Sequence, residues 1–344
     1  MSHRRAAAAV ASVSAALVML AGCGSPPASR SDTPTATADA ALQTLVTAAQ
    51  QEGELTWYSV PAENVAKAVS DEFAKKYNIK VKYVRLTSSD LSTRYSAEAA
   101  TGSPAADLFL GSYTPFIKTA ATNGWTTALP SAGIPGYPGD YPSRYVLGAD
   151  GTVVLQVQPS GIAVNTKEAS GIKDWNDVLD PKWKGKVILV DPRASAAYVP
   201  FWNLIIKEYG EDYLTKLKGQ TPILAASSAP ATQQLAAGEG AIVIPGVQSI
   251  VEDLKSKGAP VAYVQPAAST GPEIVAGLSA KAAHPNAARL FIHWLMSVEG
   301  NKVLNGTPGS VSPRDASALP AKYQFNADLN AVTAAKINTL LGLG

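Results

Sequence analysis

Between Glu54 and Ser112, short runs rich in β-branched and aromatic residues alternate with amphipathic ones, and that alternation restricts the chain to few folds. Glu54–Val60 (ELTWYSV) reads as a strand that stops at Pro61. Ala62–Tyr77 places Val65, Val69 and Phe73 on one helical stripe. Ile79–Leu86 (IKVKYVRL) alternates apolar residues with Lys80, Lys82 and Arg85, the pattern of a half-buried strand. Ser88–Gly102 reads as a capped helix, Ala106–Ser112 as a continuous apolar strand, and a further helix starts at Pro115. Strand, helix, strand, helix and strand joined by short links predict a parallel sheet. Ahead of them, Leu42, Leu45, Val46 and Ala49 predict a helix over Ala40–Glu52, stopped by Gly53.

From Thr126 to Asp150 the pattern dissolves into Pro, Gly, Tyr and Ser, and Thr152–Thr166 then reads as a strand pair or a crossover. VILV before Asp191, Thr221–Ala226, Gly238–Gly246 and Val261–Pro266 supply further strands, and Pro272–Ala280 reads as a return strand. Two helix-like segments follow, the last near Ala331–Leu341. The simplest topology is an α/β chain of two lobes: residues 40–152 with 273–344, and residues 153–272. The crossings fall near 152–158 and 272–278 and form a hinge with a cleft beside it. Ligands of open α/β sheets sit beyond the carboxyl ends of the strands.

The first residues carry Arg4 and Arg5, then an apolar stretch over Ala6–Leu20 that is short of the roughly 20 residues a membrane span needs. Leu20-Ala21-Gly22-Cys23 follows, with the single cysteine of the 344 residues. It resembles the lipobox of bacterial lipoproteins, which implies a signal peptide over 1–22 and a lipid-modified Cys23. Residues 23–39, rich in Ser, Thr, Pro and Ala, read as a disordered tether. Removing Arg4 and Arg5 leaves 27 basic residues against 27 acidic ones, a balance that offers nucleic acid no basic stripe.

Several stretches, taken in order, resemble a known family. Ser88–Ser112 (SSDLSTRYSAEAATGSPAADLFLGS), Asp180–Val187 (DPKWKGKV), Asp191–Ser195 (DPRAS), Gly238–Ile244 (GEGAIVI) and His284–Leu304 (HPNAARLFIHWLMSVEGNKVL) are similar to the extracellular solute-binding proteins of ABC importers. The branch includes binders of ferric iron, thiamine, polyamines, phosphonates and sugar phosphates. The resemblance implies a type II periplasmic-binding fold and non-enzymatic capture of a solute. It also implies docking on a permease served by an ATPase, an extracytoplasmic monomer held by its lipid, and no cofactor.

The site candidates are hydroxyls at strand ends beside helix starts, where free backbone N–H groups and the helix dipole suit an anion. Ser59 follows the first strand. Ser88 and Ser89 follow the second, placed to cap the helix ahead of Leu91. Gly111 and Ser112 follow the third, and Ser195 and Tyr198 follow VILVDP. Gln158 and Ser160 flank the first crossover. Each serine alone is equally a plain helix cap; the expectation rests on their shared rim. Ferric-binding relatives carry two adjacent tyrosines after the strand matching GEGAIVI, where this chain has Pro245-Gly246-Val247-Gln248. An iron site would therefore need atypical ligands. His3, His284 and His293 form no pair with zinc-like spacing, so no metal site is expected. Asp191 reads as a turn residue, Arg314 as a possible anion guard or a solvated loop residue, and Trp57, Tyr58 and Tyr113 leave room for a polyamine. No G-x-S-x-G, no usable cysteine and no histidine next to a plausible nucleophilic serine marks a hydrolase, since His3 falls in the expected signal peptide. A module feeding a sensor instead of a permease remains a further reading of the same cleft.

Overall fold

The computed structural model describes residues 33–329 and 332–344. The expected signal peptide and the lipid-bearing Cys23 lie outside the described residues. Six strands come first: β1 (Glu54–Ser59), β2 (Lys80–Arg85), β3 (Leu108–Ser112), β4 (Thr126–Thr127), β5 (Val146–Leu147) and β6 (Thr152–Val157). The chain then builds a second sheet from β7 (Ser160–Asn165), β8 (Val187–Val190), β9 (Ile223–Ala225), β10 (Ile242–Val247) and β11 (Val261–Val264), in the order β11-β7-β10-β8-β9. After β12 (Ala268–Ser269) it returns through β13 (Glu273–Ser279), which slots between β3 and β6. The first sheet thus reads β2-β1-β3-β13-β6-β5, with β4 on β13. A last short strand, β14 (Lys322–Tyr323), pairs with β12.

Helices α1 (Thr33–Glu52), α2 (Glu63–Tyr77), α3 (Ser88–Ala100) and α4 (Pro115–Thr122) belong to the first half. Helices α5 (Val199–Tyr209), α6 (Asp212–Gly219), α7 (Ser228–Ala237) and α8 (Gln248–Ser256) belong to the second. Helices α9 (Pro285–Met296), α10 (Val298–Leu304) and α11 (Ala334–Leu341) follow the return. The sequence patterns explain these positions. Central β3 is buried along its whole length, as a strand covered on both faces must be, whereas edge strand β2 leaves Lys80, Lys82 and Arg85 in water. On α2, Val65, Val69 and Phe73 are buried, and Phe73 meets Phe291 edge-on at 4.8 Å between ring centres. Gly53, with φ of 72°, ends α1 in the left-handed conformation that favours glycine.

Two expectations need correction. The tether was expected to run to residue 39, but α1 begins at Thr33. Its first turn tolerates Pro34, and the alanines that follow are strong helix formers, so a composition typical of a linker continues as helix. The first lobe was also expected to take all of 273–344 and to lose the chain at 152. Strand β6 pairs with β13 in the first sheet, while Ile337 and Leu341 of α11 are buried in the second lobe's core with Trp175, Phe201 and Leu214. An amphipathic helix takes whichever apolar surface it reaches, and its periodicity does not say which.

The crossings fall at Gln158–Pro159 and at Thr270–Pro272. They are bound to each other: Gln158 N–H donates to the Pro272 carbonyl at 3.0 Å, and Ser160 N–H to the Thr270 carbonyl at 2.8 Å. A Cβ added to Gly271 would collide with the Gln158 carbonyl, so the two segments pass this closely only because that position is glycine. The C-terminal segment lies across the same place. Gln324 N–H donates to the Ser269 carbonyl at 2.8 Å, and Asn326 N–H to Glu273 Oε1 at 2.7 Å.

Candidate functional site

Strand directions bring one edge of each sheet to the crossings. Strands β1, β2 and β3 run parallel, so Ser59, Arg85 and Ser112 end on one edge. Strand β13 runs against β3, with Ile274 opposite Ser112, and therefore starts at that edge. Strand β6 runs against β13, with Val157 opposite Glu273, and ends there. After two intervening residues Ser160 opens β7, opposite Val247 at the end of β10. Strands β8 and β9 run parallel to β10, so Val190 and Ala225 end on the same side. The carboxyl ends of both sets of parallel strands thus flank the hinge. The lobes also approach where a Cβ on Gly309 would lie 2.6 Å from Gln248 Cβ at the start of α8.

In the first lobe, Ser112 and Ser88 meet: their hydroxyls lie 2.8 Å apart, with Ser112 buried and Ser88 half-buried at the first residue of α3. Neither Ser88 nor Ser89 caps the helix as expected. Thr87 does, its Oγ1 accepting from Asp90 N–H at 3.1 Å, because the helix begins at Ser88 itself, at least one residue earlier than a Ser88 or Ser89 cap requires. That releases the Ser88 hydroxyl, while Ser89 is exposed. Ser59 is fully buried and donates to the Pro61 carbonyl at 3.1 Å, so its hydroxyl closes its own turn. Gly111 sits inside β3 opposite Val275, 3.4 Å from the Phe109 ring by its would-be Cβ, and is part of the sheet rather than its rim. The half-buried Tyr113 donates its N–H to the Glu273 carbonyl at 2.7 Å; burial raises its phenol pKa and keeps it a donor.

In the second lobe, Ser195 Oγ accepts from Ala197 N–H at 3.2 Å and caps the short turn before α5. Burial raises the phenol of Tyr198, with Ser228 beside it. Ser228 opens α7, and Ser227 ahead of it makes no side-chain capping bond. The sequence reading passed over Ser227 and Ser228, although a serine pair between an apolar run and a helix was the same signal used at Ser88. Arg85 was also passed over. It is exposed at the rim end of β2, and among the described residues no carboxylate pairs with it.

At the crossing, Gln158 is half-buried and its Nε2 donates to Gln156 Oε1 at 2.8 Å. Ser160 is buried, and its carbonyl accepts from Ser269 Oγ at 2.7 Å and Gln265 Nε2 at 3.2 Å, which ties it into the hinge. Other candidates lie elsewhere or are engaged. Asp191 accepts from Arg193 N–H at 2.9 Å and from its guanidinium, the turn role expected of it. Arg314 binds Asp140 at 2.8 Å and the Met296 carbonyl. His284 pairs with Asp107 at 3.0 Å, ahead of β3 and so on the edge away from the hinge. Among the described residues no three His, Cys, Asp or Glu are grouped to hold a metal ion.

The comparisons with known proteins agree with this architecture. The family model described as bacterial extracellular solute-binding protein matches residues 58–302. An uncharacterised protein of Haemophilus influenzae is 26% identical over 273 residues, spanning 74% of this chain and 76% of its own. Among solved structures, the periplasmic binding protein AfuA from Actinobacillus pleuropneumoniae, with exogenous fructose-6-phosphate bound, is similar at a TM-score of 0.64 and 20% identity, covering 84% of this chain and 97% of its own. Iron-bound HitA from Pseudomonas aeruginosa is similar at a TM-score of 0.63 and 22% identity, again covering 84% and 97%. These likenesses fix the fold as the two-lobed type II periplasmic-binding fold.

Proposed function

The chain belongs to the family of bacterial extracellular solute-binding proteins, which pass small solutes to the membrane permease of an ABC importer, and from that premise we propose that its solute is a small oxyanion or a phosphorylated or carboxylated organic molecule. The observation that carries this reading is the facing of two hydroxyl-bearing rims across one hinge. Ser88 opens α3 and meets Ser112 at the end of β3 on one side; Ser195 and Tyr198 precede α5, and Ser227 and Ser228 stand at the start of α7, on the other. Helix starts present unpaired N–H groups, and hydroxyls complete an anion's hydrogen bonds. Contacts made from both lobes at once favour the closed form, so binding shifts an open–closed equilibrium without covalent chemistry. Gln158 and Ser160 belong to the same reading through their place on the crossing, and Ser59, Ser89 and Gly111 only support it from behind or beside the rim. Cys23 is the proposed lipid attachment, holding a monomer on the outer face of the cell membrane.

Native mass spectrometry of the protein as purified, followed by calorimetric titration of the recovered solute, tests this. A retained anion that also compacts the protein in solution scattering supports the reading. A retained polyamine or ferric ion as the tight ligand overturns it.

A further inference from the structure

A line of buried amides fixes which way round the hinge glutamine is held. Gln156, fully buried in β6, donates through Nε2 to the Leu304 carbonyl at 2.9 Å and to Ser310 Oγ at 2.6 Å. A backbone carbonyl only accepts, so the Gln156 amide fits one way. Its Oε1 must then face Gln158, and only the Gln158 nitrogen can meet it, which it does at 2.8 Å. The far end of the line is set by the same logic. Ser310 donates to Asn305 Oδ1 at 2.8 Å, and Asn305 Nδ2 donates to the Leu155 carbonyl at 3.0 Å. Asn301 Nδ2 donates to the Leu155 carbonyl at 3.0 Å and the Leu295 carbonyl at 3.2 Å. Each amide is oriented by a main-chain oxygen that cannot reverse its role.

Gln158 is the last member and the half-buried one. It sits on the segment between the two rims, and among the described residues no protein donor reaches its Oε1. The hydroxyls of the site can turn to donate or accept; this oxygen can only accept. We propose that Gln158 is a specificity-determining residue whose fixed acceptor selects, among anionic solutes, those that also carry an O–H or N–H donor beside the charged group. This rests on the oxyanion reading above. A solute without that donor leaves Oε1 desolvated and unpaired when the lobes close, which weakens binding about tenfold.

The test uses matched probes that differ by the donor: glycerol 3-phosphate against n-propyl phosphate, glycerate against propionate, and 2-aminoethylphosphonate against ethylphosphonate. Each is titrated calorimetrically into the full chain and into Gln158→Met, which keeps length and removes the acceptor. Because the variant also leaves Gln156 Oε1 unpaired, a modest fall in melting temperature is expected, and a single cooperative melt with an unchanged circular-dichroism spectrum certifies its fold. The expected result is a donor-bearing member about tenfold tighter than its partner in the parent protein, with the preference gone in Gln158→Met. Pairs that bind equally in the parent, or a preference that survives in Gln158→Met, overturn the role of Gln158 and leave the oxyanion reading standing. Binding of none of the six, with tight binding of spermidine or ferric citrate instead, overturns both.

Discussion

Asp107 serves three donors with one buried carboxylate. It accepts from Thr56 N–H at 2.8 Å, from His284 N–H at 2.8 Å, and contacts His284 Nδ1 at 3.0 Å, so it joins the approach to β3, the middle of β1 and the entry to α9. Removing it leaves two half-buried N–H groups without their acceptor; Asp107→Ala is expected to cost about 2 kcal/mol, read as a lower urea midpoint with an unchanged slope. Ser112→Ala should act on binding instead. Its hydroxyl meets only Ser88 among the described residues, so stability should change by less than about 1 kcal/mol while affinity for the native solute falls about tenfold, measured by thermal melt and calorimetry. The sequence pointed to Ser112 because a hydroxyl ending a wholly apolar run has few other uses. It could not separate Ser112 from Ser59, which ends a run just as well. That difference is a rotamer: Ser59 turns back onto Pro61, a choice made by local packing. The same resolution limit misplaced the α3 cap by one residue, since Thr87, Ser88 and Ser89 are all competent caps and only the backbone angles at Thr87 decide.

Elements were legible where two signals agreed. The alternation from Glu54 to Ser112 specified both element types and parallel pairing, and β1, β2 and β3 follow it. Helix α11 carried only one signal, an apolar stripe, and its partner surface lies about a hundred residues back in the chain, on α5 and α6. Ile337 and Leu341 are 0% and 4% exposed there, and Lys336 pairs with Glu211. Deleting residues 332–344 is therefore expected to destabilise the second lobe by about 4 kcal/mol and to raise binding of a hydrophobic dye. The hinge offers a sharper case. Gly271→Ala places a methyl group against the Gln158 carbonyl and forces the bonded crossings apart. More than about 2 kcal/mol should be lost, and protection of the Gln158 and Ser160 amides from hydrogen exchange should fall; unchanged protection would refute the close approach.

At the scale of the molecule, the two crossings were legible as breaks between strand-rich blocks, but the C-terminal segment lying over them was not, because it grips them largely through its own main-chain N–H groups, which leave no mark on side-chain pattern. Its tie to the return strand is through Glu273, which is 1% exposed and accepts from Asn326 N–H at 2.7 Å. Burial pushes this carboxyl up to about 7; Asp328 pushes the same way, while the Asn326 bond and Arg144 pull it down. The phenols of Tyr113, Tyr145 and Tyr323 also lie close enough to feel it. In the unfolded chain a glutamate titrates near about 4.3, so the folded protein holds this proton to higher pH than the unfolded chain does. The resulting stabilisation is full below the unfolded value and is lost as pH rises through about 7, a change on the order of 3 kcal/mol. His293 works in the opposite sense, since burial lowers its pKa and its contribution is lost as pH falls, so total stability alone would mix the two. Glu273→Gln separates them. Its neutral amide oxygen can still accept from Asn326 and carries no charge to desolvate. The variant should be more stable than the parent by a margin that grows from pH 5 to pH 8, followed by urea unfolding at each unit. A margin that stays constant or shrinks across that range would mean Glu273 is already ionised in the folded hinge at pH 5, and that the C-terminal segment is held by a charged carboxylate.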